Sequence, residues 1–198
     1  MPKAVRLAVL VSGGGSNLEA ILTARTSGQL ENAEVVLVLS SKAGVYALER
    51  AKKYQIETAV VERSAFASDD LFQAAILKKL AQAKVDVVCL AGYLRKLGPS
   101  IIQHYRGRIL NIHPALLPKF GGPGMYGHFV HEAVLAAGEK ESGCSVHVVD
   151  EEFDHGPVLS QAKVPVLSGD NAETLAARVL EQEHKLYPKS IREFCEKI

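Results

Sequence analysis

The chain has 198 residues and a mass of 21.4 kDa, a size that holds one domain or at most two small ones. Its 47% hydrophobic and 23% charged residues are ordinary for a globular protein and exclude a disordered chain. Twenty-three Lys and Arg against 22 Asp and Glu leave a formal net charge of +1, which excludes bulk attraction to nucleic acid or membrane and leaves room for a local basic site.

Val5 to Val11 is a near-continuous apolar run ended by three glycines, the pattern of a buried parallel strand. Asn17 to Thr26 then carries Leu18, Ile21, Leu22 and Arg25 at helical spacing, with Gly28 as a stop. Glu34 to Leu39 reads as a second strand, Tyr46 to Tyr54 as a second helix and Glu57 to Val61 as a short third strand. Ser68 is an N-cap signal, with Asp69 and Asp70 near the positive end of a helix reaching about Ala83. Asp86 to Leu90 is a fourth strand, a short helix follows Pro99, and Arg108 to Ile112 is a fifth strand. Strands alternating with helices predict an α/β fold, a doubly wound, Rossmann-like, mostly parallel sheet.

Residues 114–127 hold three prolines and four glycines and read as loop. A helix from about His128 to Ala137 follows, then Ser142 to Val149 and Val158 to Val166 as two strands joined by an acidic turn. These predict an antiparallel C-terminal extension of the sheet. Asp170 is read as the cap of a final helix running from Ala172 to about Leu186. No linker, repeat or low-complexity tract interrupts the chain, so a single domain over residues 1–198 is expected.

Cys89, Cys144 and Cys195 are odd in number and lie more than fifty residues apart, without metal or redox spacing. They predict free thiols in a reducing compartment, with Cys89 and Cys144 as core fillers. No apolar stretch reaches the roughly eighteen residues of a membrane helix. Met1–Lys3 leads straight into strand-like sequence without the apolar segment of a signal peptide. A cytoplasmic protein is expected.

Ser12-Gly13-Gly14-Gly15-Ser16-Asn17 lies where the first strand turns into the first helix. Glycines there permit close backbone approach, and the helix start presents unpaired N–H groups to a phosphate or other anion. A dinucleotide site is less well matched. Leu18 stands where GxGxxG needs its last glycine, and Ser40-Ser41-Lys42 replaces the acid that binds a ribose diol, although it suits a 2′-phosphate. A tight turn that binds nothing is the plain alternative.

The fourth strand ends in Leu90-Ala91-Gly92-Tyr93-Leu94-Arg95-Lys96-Leu97 and the fifth in Asn111-Ile112-His113-Pro114. Ligands of doubly wound sheets bind beyond the carboxyl ends of strands, where the strand order reverses. Asn111 and His113 are two apart, so an extended strand puts both on one face. The amide can donate to a developing oxyanion and the imidazole titrates near neutrality; two hydrogen-bonded polar residues ending a strand is the plain alternative. Asp150-Glu151-Glu152-Phe153-Asp154 is mostly a solvated acidic turn, but Asp154 before the Gly156-Pro157 bend is placed to face His113 and raise its basicity. His104 and His184 read as surface or packing residues, and His128 and His131 flank the loop. His147, alternating with valines, is compatible with a side chain in the cleft. No His, Cys, Asp and Glu set has metal spacing, and no GxSxG elbow is present.

Together, SGGGSN, LAGYLRKLGP, NIHPALLPKF, SVHVVDEEFDHGPVLSQ and EQEHKLYP resemble, in order from about residue 5 to 190, the phosphoribosylglycinamide formyltransferase family of folate-dependent formyltransferases. The resemblance implies the formyltransferase fold and transfer of a formyl group from 10-formyltetrahydrofolate to glycinamide ribonucleotide by direct attack, without a metal. It implies catalysis by Asn111, His113 as imidazolium, and Asp154. It puts the ribonucleotide and its phosphate on Gly15, Ser16, Asn17 and Glu183. It lays the folate along Leu94, Arg95, Lys96 and Leu97, Asn111, and the turn Asp150, Glu151, Glu152, Phe153 and Asp154.

The expected partners are these small molecules alone, with neither nucleic acid nor membrane, and the chain a monomer or homodimer. The length leaves no room for the extra domain implied for a tRNA formyltransferase or a formyltetrahydrofolate deformylase. Asp69 stands where the family often has a folate-side arginine, and Leu180 where it often has Lys or Gln near the phosphate. A formyltransferase acting on a sugar-nucleotide amine and an NADP-binding module without formyl chemistry are the rival readings.

Overall fold

The computed structural model describes residues 4–198; the start at Met1–Lys3, read above as lacking a signal peptide, lies outside them. The chain forms strands β1 (Val5–Val11), β2 (Ala33–Ser40), β3 (Thr58–Val60), β4 (Val87–Leu90), β5 (Ile109–His113), β6 (Glu141–Val148) and β7 (Val158–Pro165). The helices are α1 (Ser16–Thr26), α2 (Tyr46–Lys53), α3 (Asp69–Gln82), α4 (Pro99–His104), α5 (His128–Ala136) and α6 (Ala172–Cys195). All seven strands join one sheet in the order β3-β2-β1-β4-β5-β6-β7. The first five are parallel, and β6 and β7 are antiparallel, matching the predicted mixed, doubly wound sheet.

The sheet is covered on both faces, which is why β1 reads as a continuous apolar run. Leu7, Val9 and Val11 face one core layer with Leu18, Ile21 and Leu22 of α1 and Val179, Tyr187 and Ile191 of α6. Ala8 and Leu10 face the other, with Phe72, Ile76 and Leu80 of α3 and Ile101 and Ile102 of α4. Cys89 and Cys144 are wholly buried in the first layer, as predicted.

Two expectations about α6 are corrected. Its N-cap is Asn171, whose side chain accepts from the Thr174 N–H while Thr174 returns a bond to the Asn171 N–H. Asp170 is unavailable for this because Arg178 grips both of its oxygens at 2.7 and 2.9 Å. The helix also runs past Leu186 to Cys195, through Pro188. An interior proline costs about 3 kcal/mol. Burying Tyr187, Ile191 and Cys195 at helical spacing offsets it, each large side chain contributing roughly 1.5–3 kcal/mol. Tyr187 also lays its hydroxyl 3.0 Å from the carbonyls of Leu90 and Leu110, seating α6 across the ends of β4 and β5.

Candidate active site

A cleft of about 650 Å³ opens at the carboxyl ends of β4 and β5, beside β1, where the strand order reverses. Leu94, Arg95, Lys96 and Leu97 line it, as do Asn111, His113 and the whole turn Asp150 to Asp154. Asn17 and Glu183 also line it. Gly15 and Ser16 do not; Ser16 borders a neighbouring groove between α1 and α6 that Arg50, His184 and Lys185 also line.

Asn111 and His113 sit at alternate positions of β5, and the antiparallel pairing of β5 with β6 sets Asn111 directly opposite His147. The β6–β7 turn brings Asp154 back over them. Its carboxylate lies 3.5 Å from His113 Nδ1 and 3.5 Å from His147 Nε2, electrostatic contacts just beyond hydrogen-bond length. Asp154 has φ of +55°, a left-handed backbone that aspartate tolerates better than most residues and that an active site can hold at a cost. The loop after β5 braces the pair from outside. His113 Nε2–H donates to the Phe120 carbonyl at 2.8 Å, and Gly122 N–H donates to Asp154 Oδ2 at 3.0 Å. The start of that loop is pinned to β6 and β7, since Leu117 N–H donates to Ser145 Oγ and Gln161 Nε2 to the Leu117 carbonyl. His147 was no more than cleft-compatible on sequence; strand alternation was the signal, and the register makes it part of the cluster.

Asp154 does face His113 and raises its basicity, but burial opposes it more strongly. Only 3% exposed, the His113 imidazole is pushed below the ordinary value, and the charge of Asp154 and the bond to Phe120 only partly oppose that. Burial pushes the Asp154 carboxyl up, but the neighbouring histidines and the Gly122 N–H bring it net below the ordinary carboxylate value. Both ring nitrogens of His113 thus face acceptors, Phe120 and Asp154, an arrangement that favours the protonated ring against the pull of burial.

Burial likewise lowers His131 and His184 below the ordinary 6.5. Unfolded imidazoles bind protons near that value and folded ones only below it, so these groups withdraw stability as the pH falls through 6.5. Glu183 has the opposite sign: burial raises its carboxyl, so its contribution grows as the pH falls. Thermal denaturation between about pH 7.5 and about pH 5.5 should show a falling Tm as the buried histidines are forced to protonate. A flat profile contradicts this account.

At the other end, Asn17 Nδ2 donates to Glu183 Oε2 at 2.7 Å, while Asn17 Oδ1 is buried without a partner. Arg50 donates to the Gly14 carbonyl at 2.9 Å and to Glu19 at 2.8 Å, fastening a cation under the glycine turn. Gly15 has φ of +74°, and a Cβ there would stand 2.6 Å from Ala47 Cβ. Gly15→Ala is thus expected to displace the start of α1; stability should fall by about 1–3 kcal/mol, read by urea denaturation. Wild-type stability would show that the turn tolerates a side chain.

The serines ending β2 are engaged internally. Ser12 Oγ lies 2.7 Å from Ser41 Oγ and accepts from the Leu94 N–H, and both Ser40 and Ser41 are buried. With both hydroxyls spent inside the protein, Ser40 bonding the Lys42 backbone and Ser41 bonding Ser12, these serines are unavailable to a 2′-phosphate, which weighs against the NADP reading. Asp69 is held by Arg63 at 3.2 Å and by Gln73, while Arg95 and Lys96 are exposed with no carboxylate within 4 Å among the described residues. Lys96 Nζ instead lies 5.0 Å from the ring centre of Phe153, across the cleft mouth. Leu180 lines the cleft as an apolar residue.

Residues 5–191 match the formyl transferase family. The chain is 46% identical to the trifunctional purine biosynthetic protein adenosine-3 of Drosophila pseudoobscura pseudoobscura over 94% of its own length, and spans 13% of that protein. It is 43% identical to the phosphoribosylglycinamide formyltransferase of Escherichia coli, covering 97% of this chain and 88% of that one. The solved glycinamide ribonucleotide transformylase 1 of Symbiobacterium toebii superposes with a TM-score of 0.94 at 40% identity, over 100% of this chain and 90% of that one. With near-complete coverage in sequence and in fold, the chain belongs to the formyl transferase family.

Proposed function

We propose that this chain transfers the formyl group of 10-formyltetrahydrofolate to the amine of N1-(5-phosphoribosyl)glycinamide, yielding formylglycinamide ribonucleotide and tetrahydrofolate in de novo purine synthesis. The observation that carries it is the convergence of Asn111, His113 and Asp154 in one cleft, between the segment 94–97 on one side and Asn17 and Glu183 on the other. The folate lies along Leu94 to Leu97 and the turn Asp150 to Asp154. The ribonucleotide phosphate takes the N–H groups at the start of α1, with Gly15, Ser16 and Asn17, in the positive field of the helix end. Glu183, braced by Asn17, accepts from the sugar hydroxyls. The contact absent at Leu180 is thereby replaced by backbone N–H groups.

The glycinamide nitrogen attacks the formyl carbon; a C–N bond forms and the carbonyl electrons move onto oxygen. Asn111 donates to that oxyanion. His113 stabilises that charge as the imidazolium formed when it shares the proton released from the amine, with the Asp154 carboxylate 3.5 Å away balancing it. Asp154 takes the proton released from the attacking amine, directly or through one water, and returns it to N10 of the departing folate. The N10–formyl bond breaks as the product amide forms. Proton transfer and an oxyanion donor each supply roughly 10²–10⁴ in rate, the larger share where the site is dry.

The test is a spectrophotometric assay with 10-formyl-5,8-dideazafolate and glycinamide ribonucleotide. An absorbance change that needs both substrates is expected. No turnover, with NADP bound instead, overturns the reading, and turnover with only a sugar-nucleotide amine moves the acceptor.

A further inference from the structure

We propose that His147 is a positioning residue for formyl transfer: it accepts from the Asn111 side-chain amide and thereby decides which end of that amide faces the reacting carbonyl. The inference rests on the function proposed above and adds a residue to it.

The pairing of the two residues is set by the backbone. Asn111 on β5 and His147 on β6 are direct partners in the antiparallel ladder, so their side chains rise side by side from the same face of the sheet. The His147 ring is 1% exposed, so its nitrogens depend on protein partners. Nδ1 lies 3.3 Å from the Val148 carbonyl oxygen. A carbonyl only accepts, so Nδ1 carries the ring proton, and in the neutral ring Nε2 is then an acceptor. Asn111 Nδ2 lies 3.0 Å from Nε2, and an amide nitrogen only donates. The two ends of the imidazole thus lead to one assignment: carbonyl, Nδ1–H, Nε2 lone pair, amide N–H. Asp154 Oδ1 also approaches Nε2, at 3.5 Å, but the Asn111 amide at 3.0 Å is the nearer partner of that nitrogen.

An asparagine alone presents its oxygen or its nitrogen to a ligand with similar ease, and the two have opposite sign. Facing a developing oxyanion, the nitrogen is a donor and the oxygen a repulsive lone pair. Bonding one N–H to His147 turns the amide plane and leaves its second N–H without a partner among the described residues, on a side chain that lines the cleft. The donor is oriented before the substrate arrives, which is the condition for oxyanion stabilisation to act without reorganisation.

Two variants separate this role from simple packing. His147→Leu keeps bulk and removes the acceptor, while His147→Gln keeps an oxygen that can accept from Asn111. His147→Leu is expected to lower kcat by about ten- to a hundredfold, with both KM values within about threefold, since the loss is confined to the transition state. His147→Gln should recover a clear part of it. In an Asn111→Ala background His147→Leu should cost no more than about twofold, because the group it orients is already gone. In the wild-type protein, ¹⁵N NMR of the ring should report a protonated Nδ1 and an unprotonated Nε2, a measurement that stands even if His147→Leu fails to fold. Losses that simply multiply in the double variant, a His147→Gln as poor as His147→Leu, or a ring protonated at Nε2 would each overturn the proposal. A wild-type protein that transfers no formyl group overturns instead the functional reading beneath it, whatever the ring tautomer.

Discussion

Asp154→Asn is expected to lower kcat for formyl transfer by roughly 10²–10⁴-fold, the range for losing a positioned proton carrier. The change is nearly isosteric, and asparagine accepts the left-handed backbone at φ +55° as readily as aspartate, so the β6–β7 turn should persist. The Gly122 N–H retains an oxygen to donate to. What disappears is the charge that faces His113 and His147 at 3.5 Å. The KM for the ribonucleotide should change by less than about threefold, because ground-state binding at the far end of the cleft is untouched. Steady-state kinetics with an unaltered thermal transition would check this. A variant with wild-type turnover would remove Asp154 from the proton path.

Asn111→Ala carries the second large effect. Removing one oxyanion donor costs roughly 10²–10³ in kcat, or about 2.7–4 kcal/mol of barrier. The same truncation leaves the Nε2 acceptor of the buried His147 unpaired, a stability loss of about 1–3 kcal/mol. Kinetics and urea denaturation read the two separately. A large stability loss with intact kcat would make Asn111 a structural residue, whereas the account requires the larger effect in kcat.

Much of this fold is legible because its strands are buried on both faces. The run Val5–Val11 is strand from end to end, and the Ser68 cap of α3 accepts from the Leu71 N–H as its position foretold. Legibility failed where a distant group decided between near-equal local signals. Asp170 and Asn171 are both good caps, and the choice falls to Asn171 only because Arg178, on the next turns of α6, takes the aspartate. The sequence reading ends α6 at about Leu186, and its continuation through Pro188 to Cys195 follows from the core that holds Tyr187 and Ile191.

The site divides in the same way. Asn111 and His113 announce themselves by their two-residue spacing at a strand end. Asp154 lies 41 positions beyond His113, and their meeting depends on the antiparallel return of β6 and the turn into β7. The depressed basicity of His113 is a consequence of burial, which its neighbours in sequence do not reveal. His147 was visible as a polar residue alternating with valines, yet its partner was set by register across two strands.

The most direct test of the central claim follows the formyl carbon itself. The protein is supplied with folate carrying a ¹³C-formyl group and with glycinamide ribonucleotide, and the products are resolved by NMR and mass spectrometry. The account predicts that the label appears in the formyl amide of the ribonucleotide, one equivalent for each tetrahydrofolate released. Label recovered as free formate, or left on the folate while the ribonucleotide stays unmodified, would contradict it.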